Sequence, residues 1–357
     1  MAYRFNAEQP VPHEVRRILL EEIDSAVDEL TKHKNKDRDE SIHEARKSVK
    51  KVRGLLRLVA PLIGKGTFRK ENEHLRGIGR KLSELRDACA IIEIFEAVVK
   101  EAEPQKLLAD DLVQLLRGRL EEHKSATEQK INVEETLGSA VAALGTTREH
   151  VKGYQLDGAG FEGLERGLIN VYRRGRKAMK QAGKAQDAVG FHNWRKRVKD
   201  HWYHVRLLGG LNTAFLQTRE DDLKKLETWL GDDHNLVVLR DTINNKASFG
   251  HPKQVRQFLA IAKQHGGELR DKALDLGQHL YGLKPKQLLG ELAAARDAWP
   301  VPSNGLRPDS GSQNASLNLE LQSESPKIAA NGSATARQPR KKAGSAPSQR
   351  SRARARA

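Results

Sequence analysis

Cysteine is almost absent: Cys89 is the only one among 357 residues. No intrachain disulfide and no cysteine-built zinc site can form, which fits a reducing compartment. Long apolar runs are missing too. The greasiest stretch, Ala88 to Phe95, is short and carries Glu93, far below the roughly 20 apolar residues of a membrane-spanning helix. The start, Met1 to Glu8, has no apolar leader segment. The expectation is a cytoplasmic protein without membrane contact. Aromatic residues make up 5% of the chain, few for the stacking platforms that hold single-stranded nucleic acid. No run of alternating β-branched residues signals a strand. Catalytic signatures are lacking as well: there is no phosphate-binding glycine loop, no His-Glu-x-x-His and no serine elbow. No catalytic residue, no metal and no cofactor is expected, and the chain is not read as an enzyme.

Basic residues are abundant, with 63 Lys and Arg against 47 Asp and Glu and a net charge of +16. A charge of that size speaks about partners, here anionic ones, rather than about fold. From Val301 onward ten basic residues face three acids, a net of +7 that leaves +9 for the rest. That tail, 300–357, is rich in Pro, Ser, Asn, Ala and Arg and poor in large apolar residues, so it is expected to be disordered. Before it, helical periodicity dominates, with helices expected near 12–33, 40–60, 67–86, 87–102, 105–127, 160–182, 187–209, 216–231, 234–247, 252–281 and 285–298. The fold class is therefore all-α. A lead of residues 1–11, a helical half 12–150, a second half 151–299 and the tail make up the expected organisation.

An internal repeat organises the two halves. Ser41 to Lys50 aligns with Gly190 to Lys199 at a constant offset of 149, and Leu82 to Asp87 aligns more weakly with Leu230 to Asn235, one residue out of that register. Two pseudo-symmetric half-bundles are the simplest architecture. At about 100° per residue, His43, Arg46, Lys47, Lys50 and Arg57 form one stripe, with Ile42, Ala45, Val49, Val52, Leu56 and Val59 on the packing side. His192, Arg195, Lys196, Lys199 and Arg206 repeat the stripe, with Tyr203 where the first copy has Gly54. Arg166, Arg173, Arg176, Lys177 and Lys180 form a third stripe, and Arg69, Arg76 and Arg80 a fourth that includes Glu73 and reads as a solvated face.

A lone basic run is ordinarily a solvated face. Like charges three or four residues apart destabilise a helix, however, and a stripe nearly free of acids that is kept twice calls for an anion. For the histidines four roles stand open: a partner-bonded cap or core residue, a hydrogen-bond donor to phosphate, a phosphoryl acceptor or a metal ligand. His201 and His204 have ligand-like spacing, but His201 points off the His192 face, so both are taken as packing or surface residues. Nucleic-acid binding, in part through the basic tail, and a phosphohistidine relay or other phosphate-processing enzyme are the alternatives to simple polyanion binding.

His43-Glu44-Ala45-Arg46-Lys47 with Lys50, Lys51 and Arg53, and His192 with Arg195, Lys196, Lys199, Trp202 and Tyr203, resemble the opening motif of the CHAD family, the conserved histidine α-helical domains. Arg86-Asp87 and Tyr172 to Arg176 resemble further family segments, and the likeness spans about 8 to 298. The resemblance implies two four-helix-type bundles facing each other across a basic groove or pore, non-catalytic binding of long-chain inorganic polyphosphate, and association of some members with polyphosphate granules. It places His43, Arg46, Lys50, Arg53, Arg57, His192, Arg195, Lys196, Lys199, Arg173 and Arg176 in the groove; Lys47, Lys180 and Arg206 join them from the stripes. Asp200 interrupts the second basic run where Lys51 continues the first, which implies weaker binding by that half. Some relatives carry a triphosphate-processing β-barrel with alternating Glu residues; no such segment precedes residue 12.

Overall fold

A computed structural model describes residues 3–32, 38–156, 159–211, 213–245, 249, 253–293, 297 and 299, without the side chains of Glu84, Leu85, Asp87, Ala88, Asn245 and Gln254. The basic tail and the Asp87 side chain lie outside the described residues. Among the described residues there is helix and no strand, so the chain is all-α.

The helices are α1 (Val11–Thr31), α2 (Arg38–Leu58), the single turn α3 (Ala60–Ile63), α4 (Lys65–Ala102), α5 (Asp110–Glu128), α6 (Val133–Lys152), α7 (Phe161–Ala185), α8 (Ala188–Leu208), α9 (Ala214–Asn245), α10 (Lys253–Leu280) and α11 (Pro285–Glu291). Local chemistry sets several starts. The Asp187 carboxylate accepts from the Gly190 N–H at 2.6 Å at the head of α8, and the Asn132 side chain accepts from Glu135 N at 3.2 Å at the head of α6; each satisfies a donor that the first turn leaves without an intrahelical partner.

Two expected breaks are absent. The spans 67–86 and 87–102 form one helix, α4, and 216–231 with the described part of 234–247 form another, α9, which runs to Asn245. Near the two junctions, Ser83 Oγ donates to Gly79 O at 2.8 Å within the helix, and the Asp233 carboxylate accepts from Arg270 Nε at 2.7 Å. The sequence reading also left 128–159 without a helix, where α6 stands. Its buried face, Leu137, Ala140, Leu144, Thr147 and Val151, is partly small and is diluted by Gly138 and Gly145, so its periodicity is faint.

The packing order is α1 on α2 and α2 on α4, then α7 on α8 and α8 on α9, with α2 touching α8 and α4 touching α9. Neither hydrophobic core is confined to one half. The larger joins Ile18, Val49, Leu55 and Leu75 with Leu168, Trp194, Val205 and Leu223. The smaller joins the distal ends of α4 and α9 to α5 and α10 through Ile94, Phe95, Leu116, Leu239 and Phe258.

The α2/α8 contact is close because Gly54 faces Tyr203. A Cβ added at Gly54 would lie 3.0 Å from the Tyr203 Cβ, so the aromatic side chain fills the space that glycine leaves. At Gly167 a Cβ would strike the Leu58 carbonyl, which lets α7 lie against the end of α2. The N-terminal residues strap both halves together. Tyr3 and Phe5 are buried; the Tyr3 hydroxyl donates to Lys51 O at 2.7 Å, and Phe5 N donates to Leu207 O at 2.9 Å.

Candidate functional site: a cationic cluster between two helices

The amphipathic reading of α2 holds residue by residue: Ile42, Ala45, Val49, Val52, Leu56 and Val59 are all buried, which turns the opposite stripe away from the core. Where α2 meets α8, cations from the two helices converge. Lys50 is half-buried, and its ammonium is driven down to about 7 by burial first, then by the like charges of Lys199, Arg46 and Arg195, with Glu227 pulling the other way. Burial and Arg57 together lower Arg53 to about 10. On α8, Lys196 is lowered by burial and by Arg197, Arg76 and Arg195. Arg76 of α4, read from sequence as a solvated face, thus acts on both rows, since it also lowers Arg53.

The anchors differ between the rows. Arg46 Nη2 donates to Ser83 Oγ at 2.9 Å, and Arg53 Nε donates to Asn72 Oδ1 at 3.2 Å; both acceptors lie on α4. On the other side, Lys199 Nζ donates to Glu227 Oε1 at 2.7 Å, and Arg195 Nη2 stands 3.9 Å from the same oxygen. Glu227 is buried, and although burial raises its carboxyl, the charge and hydrogen bond of Lys199 with Arg195 and Lys224 bring it to about 2. Sequence reasoning missed Glu227. It sits on α9 with no motif of its own, and only the three-dimensional placement reveals that it meets the α8 stripe.

His192 of α8 lies against His234 of α9, ring centroids 4.1 Å apart. Burial, followed by His234, Lys196 and Arg195, holds His192 at about 4; His234 is likewise held at about 4 by burial, Arg195 and Lys196. Both are neutral imidazoles near pH 7, able to donate a hydrogen bond but not charge. His43 is exposed and lines a cavity of about 570 Å³ with Asp39, Arg86, Cys89, Glu93 and Lys124. Burial and the Arg86 charge lower it. His43 beside Arg86 and His192 beside His234 follow the two offsets of the repeat.

Other stripe residues go elsewhere. Arg57 is an ion-pair partner: Nη1 meets Asp200 Oδ1 at 2.6 Å, and Nη2 donates to Asn72 Oδ1 at 3.1 Å. Asp200, read as an interruption of the basic run, is the acid that ties α8 to α2. Arg206 lies over the rings of Tyr3 and Trp202, 5.7 and 5.6 Å from their centroids, a cation–π arrangement. Lys47 pairs with Glu44 of its own helix at 2.8 Å. Arg173 is exposed and lines a separate cavity with Pro61, Glu162, Arg166 and Leu289; Arg176 acts on Tyr172, and Lys180 is exposed. Among the described contacts, none links Arg173, Arg176 or Lys180 to Lys50.

His201 and His204 are fully buried structural groups. His204 Nε2 donates to Gly54 O at 3.0 Å, and His201 Nδ1 lies 3.2 Å from the Tyr281 hydroxyl. Among the described residues one group has metal-ligating character, Glu101, His265 and Glu268, with ligand atoms within 4.8 Å of one another. In it His265 Nδ1 lies 2.8 Å from Glu101 Oε2, at the α4/α10 contact rather than at the α2/α8 one.

The fold and this cluster define an all-helical protein that collects cations on two sequence-matched helices. The chain belongs to the CHAD family: a family model described as CHAD domain matches residues 21–244, more than half of its length. A search of curated proteins gives no match. No helix among the described residues is long and apolar enough to cross a membrane.

Proposed function

We propose that this chain is a non-catalytic binding protein for long-chain inorganic polyphosphate, with Arg46, Lys50, Arg53, Arg195, Lys196 and Lys199 as the principal contacts. The observation that carries the reading is Lys50: an ammonium set among Arg46, Arg195 and Lys199, its proton affinity down to about 7. Like charges gathered at that cost to the protonated form are relieved by an anion with closely repeated negative charge. Family membership supports the same choice. The two helical halves, related by the repeat, would offer their rows to one polyphosphate strand across a shared groove, with His43 and His192 orienting phosphates as neutral donors. The protein would act in the cytoplasm and on polyphosphate granules.

Binding of nucleic acid is the weaker reading, because the aromatics near the rows are engaged: Trp194 and Tyr203 are buried, and Trp202 lies beneath Arg206 and Lys224. The deciding experiment titrates the chain with polyphosphates of graded length. Affinity is expected to rise with length and to fall steeply with salt. Lys50→Ala with Lys199→Ala should weaken binding by about a hundredfold to ten-thousandfold, at about 1.5–3 kcal/mol per charged contact. Lys32→Ala with Lys152→Ala, two lysines paired elsewhere on the surface, should change it little. Indifference to chain length, preference for DNA or RNA over polyphosphate, or phosphate release would each overturn the reading.

A further inference from the structure

Four cations stand around a single carboxylate at the α8/α9 contact. Glu227, 6% exposed, receives Lys199 Nζ at 2.7 Å and has Arg195 at 3.9 Å on one oxygen, with Lys224 Nζ 3.5 Å from the other. Lys50 also feels its charge. Arg195 is left incompletely satisfied, for its buried Nε has no hydrogen-bond partner. The next acid along α9, Asp232, is pushed upward by burial and by the negative charge of Glu227 itself, and among the described residues Glu227 is the carboxylate within ion-pair reach of both Lys199 and Arg195. The repeat makes the two halves unequal here. Moving back from Glu227 by the 148-residue offset of the second alignment gives Gly79 on α4, which carries no charge.

We propose that Glu227 is a built-in counter-ion of the α8 row, which substitutes for a phosphate in the free chain and competes with the incoming polyanion for Lys199 and Arg195. The inference rests on the polyphosphate reading above and adds its regulation. In the free chain Glu227 holds the α8 cations in place and offsets their repulsion. A phosphate that reaches Lys199 meets the negative charge of Glu227 a few ångströms away, so it must share or displace that partner. The α2 row has Gly79 at the position equivalent to Glu227, and Arg53 there is held by the neutral amide oxygen of Asn72 rather than by a carboxylate. The carboxylate thereby limits affinity in the second row and favours release.

The test compares the full chain with Glu227→Gln, which keeps the shape of the side chain and removes its charge. Polyphosphate affinity at low salt is expected to rise about tenfold. The slope of affinity against salt should steepen by about one released ion, because one more cation is free to meet phosphate. In the absence of ligand the variant should melt lower than the parent, and saturating polyphosphate should raise its Tm by more than it raises the parent's. Glu149→Gln, which removes an exposed acid paired with Lys152, controls for net charge and should leave affinity within about twofold. Glu227→Asp retracts the charge by one methylene without abolishing it and should shift affinity in the same direction by a smaller factor, so the comparison survives a poorly folded Gln variant. Unchanged or weakened binding in both Glu227 variants, beside normal binding by the parent, would overturn the proposal and make Glu227 a residue that positions Lys199 and Arg195 for the ligand. A parent chain that does not bind polyphosphate would instead remove the underlying reading.

Discussion

Lys50 has conflicting relations to stability and to binding. Its folded pKa of about 7 lies below the roughly 10.4 of a lysine in an unfolded chain, so between those values the unfolded state binds the additional proton. Stability therefore rises with pH across that window, and the destabilising charge is fully present below about 7. Lys50→Met is expected to raise the Tm of the free chain most at pH 6, with the gain shrinking steadily towards pH 10, while polyphosphate binding weakens at every pH. Melts at several pH values check the first half; a gain that is flat with pH would show that the amine is not perturbed. His204 works from the acid side. Burial, with the Arg57 charge behind it, holds it at about 3, against about 6.5 when unfolded. The unfolded chain takes up the proton first on acidification, so the stability it contributes is complete above about 6.5 and is lost as pH falls from there towards 3. His204→Gln, whose amide can still donate to the Gly54 carbonyl, should flatten the acid limb of the unfolding profile; a limb as steep as the parent's would refute that assignment. Residues such as Lys50 and His192 were legible in the sequence because a repeated type at helical spacing survives without coordinates. Glu227 and the role of Asp200 were not, since an acid's partner lies on another helix and leaves no local pattern.

At the scale of the helices, the repeat is most instructive where it fails. Gly54 and Tyr203 occupy equivalent places in the two copies, and in the fold they meet: the small residue of α2 receives the large one of α8. Sequence alone presents this as an imperfect match; packing explains it as complementarity between facing helices. Gly54→Ala should gain about 1 kcal/mol from helix propensity and lose about 1–3 kcal/mol to the overlap with Tyr203. The expected result is net destabilisation of about 1 kcal/mol. In a Tyr203→Gly background the Cβ, Cγ and Cδ2 atoms that the new methyl would crowd are gone, and the same substitution should become stabilising. A denaturant double-mutant cycle reads that change of sign, and additivity would mean that the two residues do not constrain each other. The same scale shows why element boundaries were harder to read than element type. Helical periodicity places residues on a face but not the residue at which a helix stops, and α4 and α9 run through the junctions expected at 86/87 and 231/234. The small, glycine-diluted face of α6 gave periodicity little to act on.

At the scale of the whole molecule the two halves are fastened by residues the sequence treats as a lead. Phe5 is 2% exposed and meets the Trp299 ring at a centroid distance of 5.4 Å, while its backbone N–H bonds to Leu207 at the end of α8. Tyr3, two residues earlier, reaches Lys51 on α2 and lies 5.8 Å from the Tyr203 ring. The strap thus spans the α2/α8 contact on which the cationic cluster stands, and Trp299 Nε1 donates to Gln9 O at 3.2 Å to bring the far end of the folded unit onto it. Alternation of buried Tyr3 and Phe5 with half-buried Arg4 and exposed Asn6 is a two-residue pattern, too short to read as an element. Phe5→Ala removes a fully buried ring whose loss costs about 3–5 kcal/mol at comparable sites. The substitution is expected to lower the Tm of the free chain in a single transition, because both hydrophobic cores draw on both halves. Saturating polyphosphate should recover part of the loss, since a ligand that contacts α2 and α8 together stabilises the same relation that the strap enforces. Two separated transitions, one for each half, would show that the strap and the shared cores do not couple them, and that each row of cations binds on its own.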